Sequence, residues 1–292
     1  MKDEIENNSE VKMDVGRKVK YYLKAFISTF KAKQVISIIQ PIDSYKEFEG
    51  KVALITGGSG GIGKAIAKML VNCGCRVIIC GTNKDKLIRC ARDISPQCKY
   101  MVLDLTDISS FEAVVEQSFE VFGAIDILIN SAGIHNPSRF NSFLTTTIED
   151  FDKIMNINVK GTYFFSQTVA KKMISEGTKG HICLISSQSA IEPAWSAYRL
   201  SKWAEKGMVQ GLAQELLKYG IIVNGVAPGP TATSMQGYKD GDSIYTDTNP
   251  SMRYVMPEEV AECVKLCVSE NGNMIVGDTI YISGGRGIVD IR

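Results

Sequence analysis

Tyr198 and Lys202 stand four residues apart in a stretch with helical period, so their side chains share one face. An ammonium beside a phenol stabilises the phenolate and draws the tyrosine pKa down from about 10. Such a tyrosine can give or take a proton near neutral pH. Alone, a Tyr/Lys pair at this spacing reads as an ordinary surface pair. Its neighbours change that reading. Ser187 lies eleven residues before Tyr198, just after an apolar run, and can donate to a substrate oxygen. Far upstream, Val52-Ala53-Leu54-Ile55-Thr56 runs into Gly57-Gly58-Ser59-Gly60-Gly61-Ile62-Gly63 and then into helical period from Lys64. A buried strand turning into a helix across glycines lets backbone approach a diphosphate, and the free N–H groups of the helix start favour its charge. The glycines are so dense that both GxGxxG and TGxxxGxG fit. A glycine-rich loop without ligand is the bland alternative.

These residues need a frame. From Lys51 onward, apolar runs alternate with helical stretches. Strands are expected at Val52–Thr56, Arg76–Cys80, Tyr100–Leu103, Ile125–Ile129, His181–Ile185, Ile221–Val226 and Thr279–Ser283. Helices are expected at Lys84–Ile94, Asp107–Phe122, Glu149–Ser175, Ser196–Tyr219 and Pro257–Ser269. That order predicts an α/β fold, a doubly wound parallel sheet of the Rossmann type in one domain with an extra N-terminal helix. Ligands in such sheets bind beyond the carboxyl ends of the strands. The segments found there are Asn130-Ser131-Ala132-Gly133, Ser186-Ser187 and Pro228-Gly229-Pro230-Thr231.

With these elements in order, the chain resembles the single-domain short-chain dehydrogenases/reductases, of the 3-oxoacyl-ACP reductase kind, over about residues 48–287. The resemblance rests on the glycine turn, Asp104, Asn130 to Gly133, Asn158, Ser187, the Tyr198/Lys202 pair, Pro228-Gly229 and the ending Ile282-Ser283-Gly284-Gly285. It implies that Tyr198 is the acid/base, that Lys202 holds the nicotinamide ribose, that Ser187 holds the substrate oxygen and that Asn158 anchors a relay water. It implies a cofactor held by Gly57, Ser59, Gly61, Ile62 and Gly63 at the pyrophosphate, with Thr82 and Asn83 at the adenosine ribose. Asp104 with Leu105 would meet adenine, Asn130 and Gly133 would line the adenine-ribose side, and Pro228, Gly229 and Thr231 would meet the nicotinamide. The Ser187–Tyr198 spacing is two residues short of the family's usual one, which leaves Ser186 and Ser189 as neighbouring candidates. Homodimers or homotetramers through the helices at 149–175 and 196–219 are implied in the same way.

An acid at the end of the second strand would hydrogen-bond a ribose 2′-OH and mark NAD. Gly81 stands there instead, followed by Thr82, Asn83 and Lys84, so NADP is preferred over NAD. The function expected is NAD(P)-dependent interconversion of a ketone and a secondary alcohol, with a small-molecule carbonyl or alcohol as substrate. A 3-oxoacyl thioester, a keto-sugar, a steroid-like ketone and a small diketone all stay open. A dinucleotide-binding scaffold and a nucleotide-sugar epimerase or dehydratase are the rivals. The substrate would be covered by Ile134–Phe143, Gln188–Trp195 and a polar lid, Ala232–Asn249. His135 and Arg139 read as ordinary loop residues that could also touch substrate.

Bulk composition limits the rest. The 292 residues carry a net charge of +1, which gives no reason to expect a nucleic-acid partner. No apolar run reaches the ~18 residues of a membrane span, and the charged start lacks a signal-peptide core. A cytoplasmic protein is expected. Eight cysteines without a CxxC pair read as buried thiols, and two distant histidines argue against a metal site. Residues 1–47 form an extension, with the catalytic domain at 48–292. Within the extension, Gly16–Lys33 holds six basic residues and no acid around an apolar stripe. This basic amphipathic helix would pack on the core or a subunit, or would dock peripherally on a membrane surface or a partner protein.

Overall fold

The computed structural model describes residues 46–135, 142–239 and 241–288, with Lys20, Leu23 and Phe26 in the extension. The chain divides into two units, Met1–Ile42 and Asp43–Arg292. In the first unit, Lys20, Leu23 and Phe26 are helical and exposed. The rest of the basic helix expected at 16–33, and Arg139, lie outside the described residues.

The second unit is built on seven strands: β1 (Val52–Thr56), β2 (Arg76–Gly81), β3 (Lys99–Val102), β4 (Ile127–Asn130), β5 (His181–Ile185), β6 (Ile222–Pro228) and β7 (Thr279–Ile282). All pair in parallel, in the order β3-β2-β1-β4-β5-β6-β7. The helices are α1 (Gly61–Asn72), α2 (Lys84–Ile94), α3 (Phe111–Phe122), α4 (Ile148–Ile154), α5 (Thr162–Ser175), α6 (Ala197–Leu216) and α7 (Pro257–Val268). The doubly wound Rossmann fold expected from the alternation is therefore present.

Strand periodicity explains the layers. Ala53 and Ile55 of β1 point to one face, where α1, α2 and α7 pack. Val52 and Leu54 point to the other, against Phe111, Phe165 and Val209 of α3, α5 and α6. Every residue of β1 is buried, as a parallel strand covered on both faces requires. The chain reverses direction across the sheet between β1 and β4, which opens a crevice at their carboxyl ends.

One expected helix departs from its plan. The stretch at 149–175 is not continuous: α4 passes into a π-helical turn, Met155–Gly161, before α5 begins. Such wide turns inside helices re-aim side chains, often at functional sites. Here the turn carries Asn158, fully buried.

Candidate active site

Gly57 begins the turn after β1 with φ +64°, and a Cβ there would sit 2.8 Å from the Ala132 backbone. Only glycine fits that approach without strain. Thr56 closes the junction by accepting from the Ala132 amide at 3.2 Å. The first turn of α1 holds no acid, and its N-cap, Gly60, offers no side chain to the free N–H groups of Gly61 and Ile62. That leaves the helix start open to an anion. Ser59 lies beside Gly81 at the end of β2: a Cβ on Gly81 would be 3.8 Å from the Ser59 hydroxyl. Asn83 spends its carbonyl oxygen capping α2, accepting from the Lys86 amide at 2.9 Å.

A cavity of about 600 Å³ opens past this turn. Among the residues lining it are Ile62, Gly133, Ser187, Tyr198, Lys202, Pro228, Gly229 and Thr231. Ser196 caps α6 by accepting from the Arg199 amide at 3.3 Å, which sets the half-buried Tyr198 in the first turn. The Tyr198 ring packs on His135, with centroids 4.4 Å apart, so His135 is more than a bystander in its loop. Lys202 is 4% exposed, with its Nζ 5.6 Å from the Tyr198 ring centroid. Gly133 keeps the wall thin: a Cβ there would be 3.5 Å from the Asn158 amide and 3.6 Å from Lys202 Nζ. Ser187 Oγ accepts from the Ser189 amide at 3.1 Å and donates to Gln188 Oε1 at 2.9 Å. Ser186 turns the other way, its hydroxyl donating to the Lys202 carbonyl at 3.3 Å.

Other assigned residues turn their side chains away from the cleft or into local bonds. Asn130 does not reach the cleft with its side chain: the amide donates to Ser166 of α5 at 2.9 Å, deep in the core. Ser131 and Gly133 form the wall in its place. Leu105 is buried in the core, so only its backbone can face an adenine. Asp104 is drawn into its own turn, accepting from the Thr106 amide at 2.8 Å and hydroxyl at 2.7 Å. The Asn158 side chain has three partners: it accepts from Ile134 N at 2.9 Å and donates to Ile134 O and Ser201 Oγ, both at 3.0 Å. Thr231 is buried and its hydroxyl donates to the Gly229 carbonyl at 2.9 Å.

Several residues were not singled out beforehand. Thr233 packs against Gly61 at the start of α1. Within the expected lid, Met235, Gln236 and Thr248 face the cavity, while the Tyr238 hydroxyl donates to Asp242 O within its own loop. Arg199 and Arg286 stand at the mouth, both paired with Glu192, at 2.9 and 3.1 Å. Glu205, 3% exposed, places both carboxylate oxygens 2.9 Å from Lys202 Nζ. Burial raises the Glu205 pKa, opposed by Lys202 and the Ser186 hydroxyl. Burial alone would pull Lys202 down, but Glu205 and Tyr198 more than reverse that and hold the ammonium above its ordinary value. A signal for Glu205 was present in the sequence: Ala197, Ser201, Glu205, Val209 and Ala213 recur every four residues along the buried stripe of α6.

A glycine turn at a sheet crevice, with a phenol, an ammonium and a hydroxyl converging beside it, defines a nicotinamide-dependent oxidoreductase. Comparison with known proteins agrees. Residues 51–243 match the family described as short chain dehydrogenase. The L-2,3-butanediol dehydrogenase of Corynebacterium glutamicum is 31% identical over 255 residues, covering 80% of this chain and 98% of that protein. A 3-oxoacyl-acyl-carrier-protein reductase of Thermotoga maritima is 35% identical over 244 residues, covering 81% and 98%. Among solved structures, a 3-ketoacyl-acyl-carrier-protein reductase from Brucella melitensis complexed with NADH superposes with a TM-score of 0.74 at 29% identity, over 82% of this chain and all of that one. An actinorhodin polyketide ketoreductase with NADPH gives 0.74 at 27%, over 82% and 98%. The chain belongs to the short-chain dehydrogenase/reductase family and is an oxidoreductase acting on CH–OH groups with NAD(P).

Proposed function

We propose that this protein is an NADPH-dependent carbonyl reductase that turns a small-molecule ketone into a secondary alcohol, with Tyr198 as the proton donor. The observation that carries this is the convergence of Tyr198, Ser187 and Lys202 on one cavity that reaches the open start of α1. The residues fit a dinucleotide. The close backbone at Gly57 and the uncapped helix start suit the pyrophosphate, and Lys202 beside the bare Gly133 suits a ribose. Bound there, the nicotinamide supplies the hydride. The protein supplies the proton and the orientation. Tyr198 gives its hydroxyl proton to the carbonyl oxygen. Ser187 donates a hydrogen bond to the same oxygen, which stabilises the charge that gathers on it. Lys202 stands beside the phenol, where it can reach a ribose, and Asn158 fixes α6 to the loop after β4.

The preference for NADP rests on the pocket around Ser59, Gly81, Thr82 and Asn83. It holds no acid at Gly81, and the Asn83 amide nitrogen remains free to donate once its oxygen caps α2. A side chain would fit at Gly81, where the nearest atoms to a Cβ are 3.7 and 3.8 Å away. Gly81→Asp should therefore weaken NADPH binding at least tenfold, by about 1.4 kcal/mol or more, and spare NADH. Fluorescence titration of both cofactors checks this, and equal effects on the two would refute the preference. The reaction is tested by following nicotinamide absorbance with acetoin, diacetyl, an acetoacetyl thioester and keto-sugars, each with both cofactors. Consumption of NADPH with at least one ketone is the expected result. A protein that binds NADPH but reduces no member of that set would refute the carbonyl-reductase reading.

A further inference from the structure

Glu205 stands outside the roles given above, although it is the carboxylate most tightly joined to the reacting groups. Tyr198, Lys202 and Glu205 lie on successive turns of α6, at i, i+4 and i+7, on one stripe. Lys202 Nζ is held by both Glu205 oxygens at 2.9 Å and by the Ile185 carbonyl at 3.3 Å. The pair is nearly closed to solvent, at 4% and 3% exposure. A carboxylate in so enclosed a place is costly to desolvate, and an apolar residue would pack the stripe without that cost. Its presence changes what the phenol faces. A lone ammonium 5.6 Å from the ring would act as a full positive charge, whereas an ion pair presents almost none.

We infer that Glu205 is a positioning residue that fixes the Lys202 ammonium against the Ile185 carbonyl and offsets its charge, and thereby sets the pH at which Tyr198 ionises. This rests on the assignment of Tyr198 as the proton donor. The groups facing the unit come from several elements. Ser186 and the Ile185 carbonyl come from the end of β5. His135 comes from the loop after β4, and Asn158, neutral, from the π-helical turn through Ser201. Arg199 and Arg286 share the cavity but are each paired with Glu192.

The test uses the cofactor-free protein and needs no substrate. The phenolate absorbance band is titrated with pH, and the same curve for Tyr198→Phe is subtracted, which isolates one of the 11 tyrosines. The titration is repeated in Glu205→Gln, again minus its Tyr198→Phe counterpart. Removing the carboxylate charge should lower the Tyr198 midpoint by about one to two pH units. A folded Glu205→Gln protein with an unchanged or raised midpoint would overturn the proposal. The double variant Lys202→Met/Glu205→Leu, which leaves no buried charge unpaired, gives a second reading. If Glu205 offsets the lysine, its midpoint stays within about half a unit of wild type. A rise of one unit or more would show that the lysine acts uncompensated, and would overturn the proposal even if Glu205→Gln failed to fold. The Tyr198→Phe protein keeps the two ideas apart. If it reduces a ketone at the wild-type rate, the proton-donor assignment is wrong. If it is inactive and the midpoint is unmoved by Glu205→Gln, only the role of Glu205 is lost.

Discussion

The Asn158 amide shows how much a single side chain carries at this site. It joins the loop that bears Gly133 and His135 to the helix that bears Tyr198 and Lys202, through Ile134 and Ser201. Asn158→Ala leaves the Ile134 amide and the Ser201 hydroxyl without that partner in a buried place, at a cost of about 1–3 kcal/mol. A fall in melting temperature of roughly 2–8 °C is expected, with kcat reduced more than NADPH affinity. Calorimetry and single-turnover rates check this, and an unchanged melting temperature would contradict the bridge. The spacing of Tyr198 and Lys202 puts them on one helical face, whereas Ser187 joined them through the family resemblance. The direction of the Asn130 side chain was not legible, because its amide meets Ser166 only through the packing of α5 on β4. Glu205 was overlooked because a charge between Trp203 and Lys206 reads as a solvated helix face. The four-residue recurrence along α6 places it on the buried stripe, but a carboxylate there departs from the apolar pattern that marks a core face.

At the scale of elements, the lid is tied down at one end by α7. Glu259, in the first turn of that helix, reaches back to accept from the Met256 amide at 2.8 Å and binds Arg253 with both oxygens, at 2.7 and 2.8 Å. The Arg253 guanidinium, with help from that amide, holds its pKa down to about 2. A carboxylate whose folded pKa lies below its unfolded value of about 4.3 contributes stability that is present above pH 4.3 and lost as pH falls toward 2. Glu259→Gln should remove that acid dependence and lower the melting temperature by about 2–4 °C at pH 7, the smaller end being favoured because the pair is partly exposed. Melting curves between pH 2 and 7 decide it: equal acid sensitivity in both proteins would refute the assignment. Strand and helix order could be read from apolar periodicity, since both faces of the sheet are covered. The π-helical turn could not, because one widened turn shifts the phase of the pattern too little to break it.

For the whole molecule, the division at residue 42 carries a prediction about the extension. A chain starting at Asp43 should fold, bind NADPH within about threefold of the full chain and melt within a few degrees of it, since the sheet and all residues of the cavity lie beyond that point. Aggregation of the shortened chain would show that the basic stretch at 16–33 is needed for folding. Association between copies is a separate proposal. α4 to α6 expose Ile148, Phe151, Tyr163, Leu200 and Trp203 on the surface of one chain, an apolar set of the sort that pairing of those helices would cover. Sedimentation should show a dimer or tetramer, weakened by Tyr163→Glu, and a monomer at micromolar concentration would contradict it. No helix among the described residues is long and apolar enough to cross a membrane.

In the proposed reaction the Tyr198 hydroxyl delivers the proton to the carbonyl oxygen. The most direct measurement compares wild type and Tyr198→Phe for the rate of NADPH consumption with the best ketone of the set, alongside NADPH affinity by fluorescence. A rate at least about 10³-fold lower in the variant is expected, with affinity kept within about threefold. A variant that retains most of the rate would contradict it.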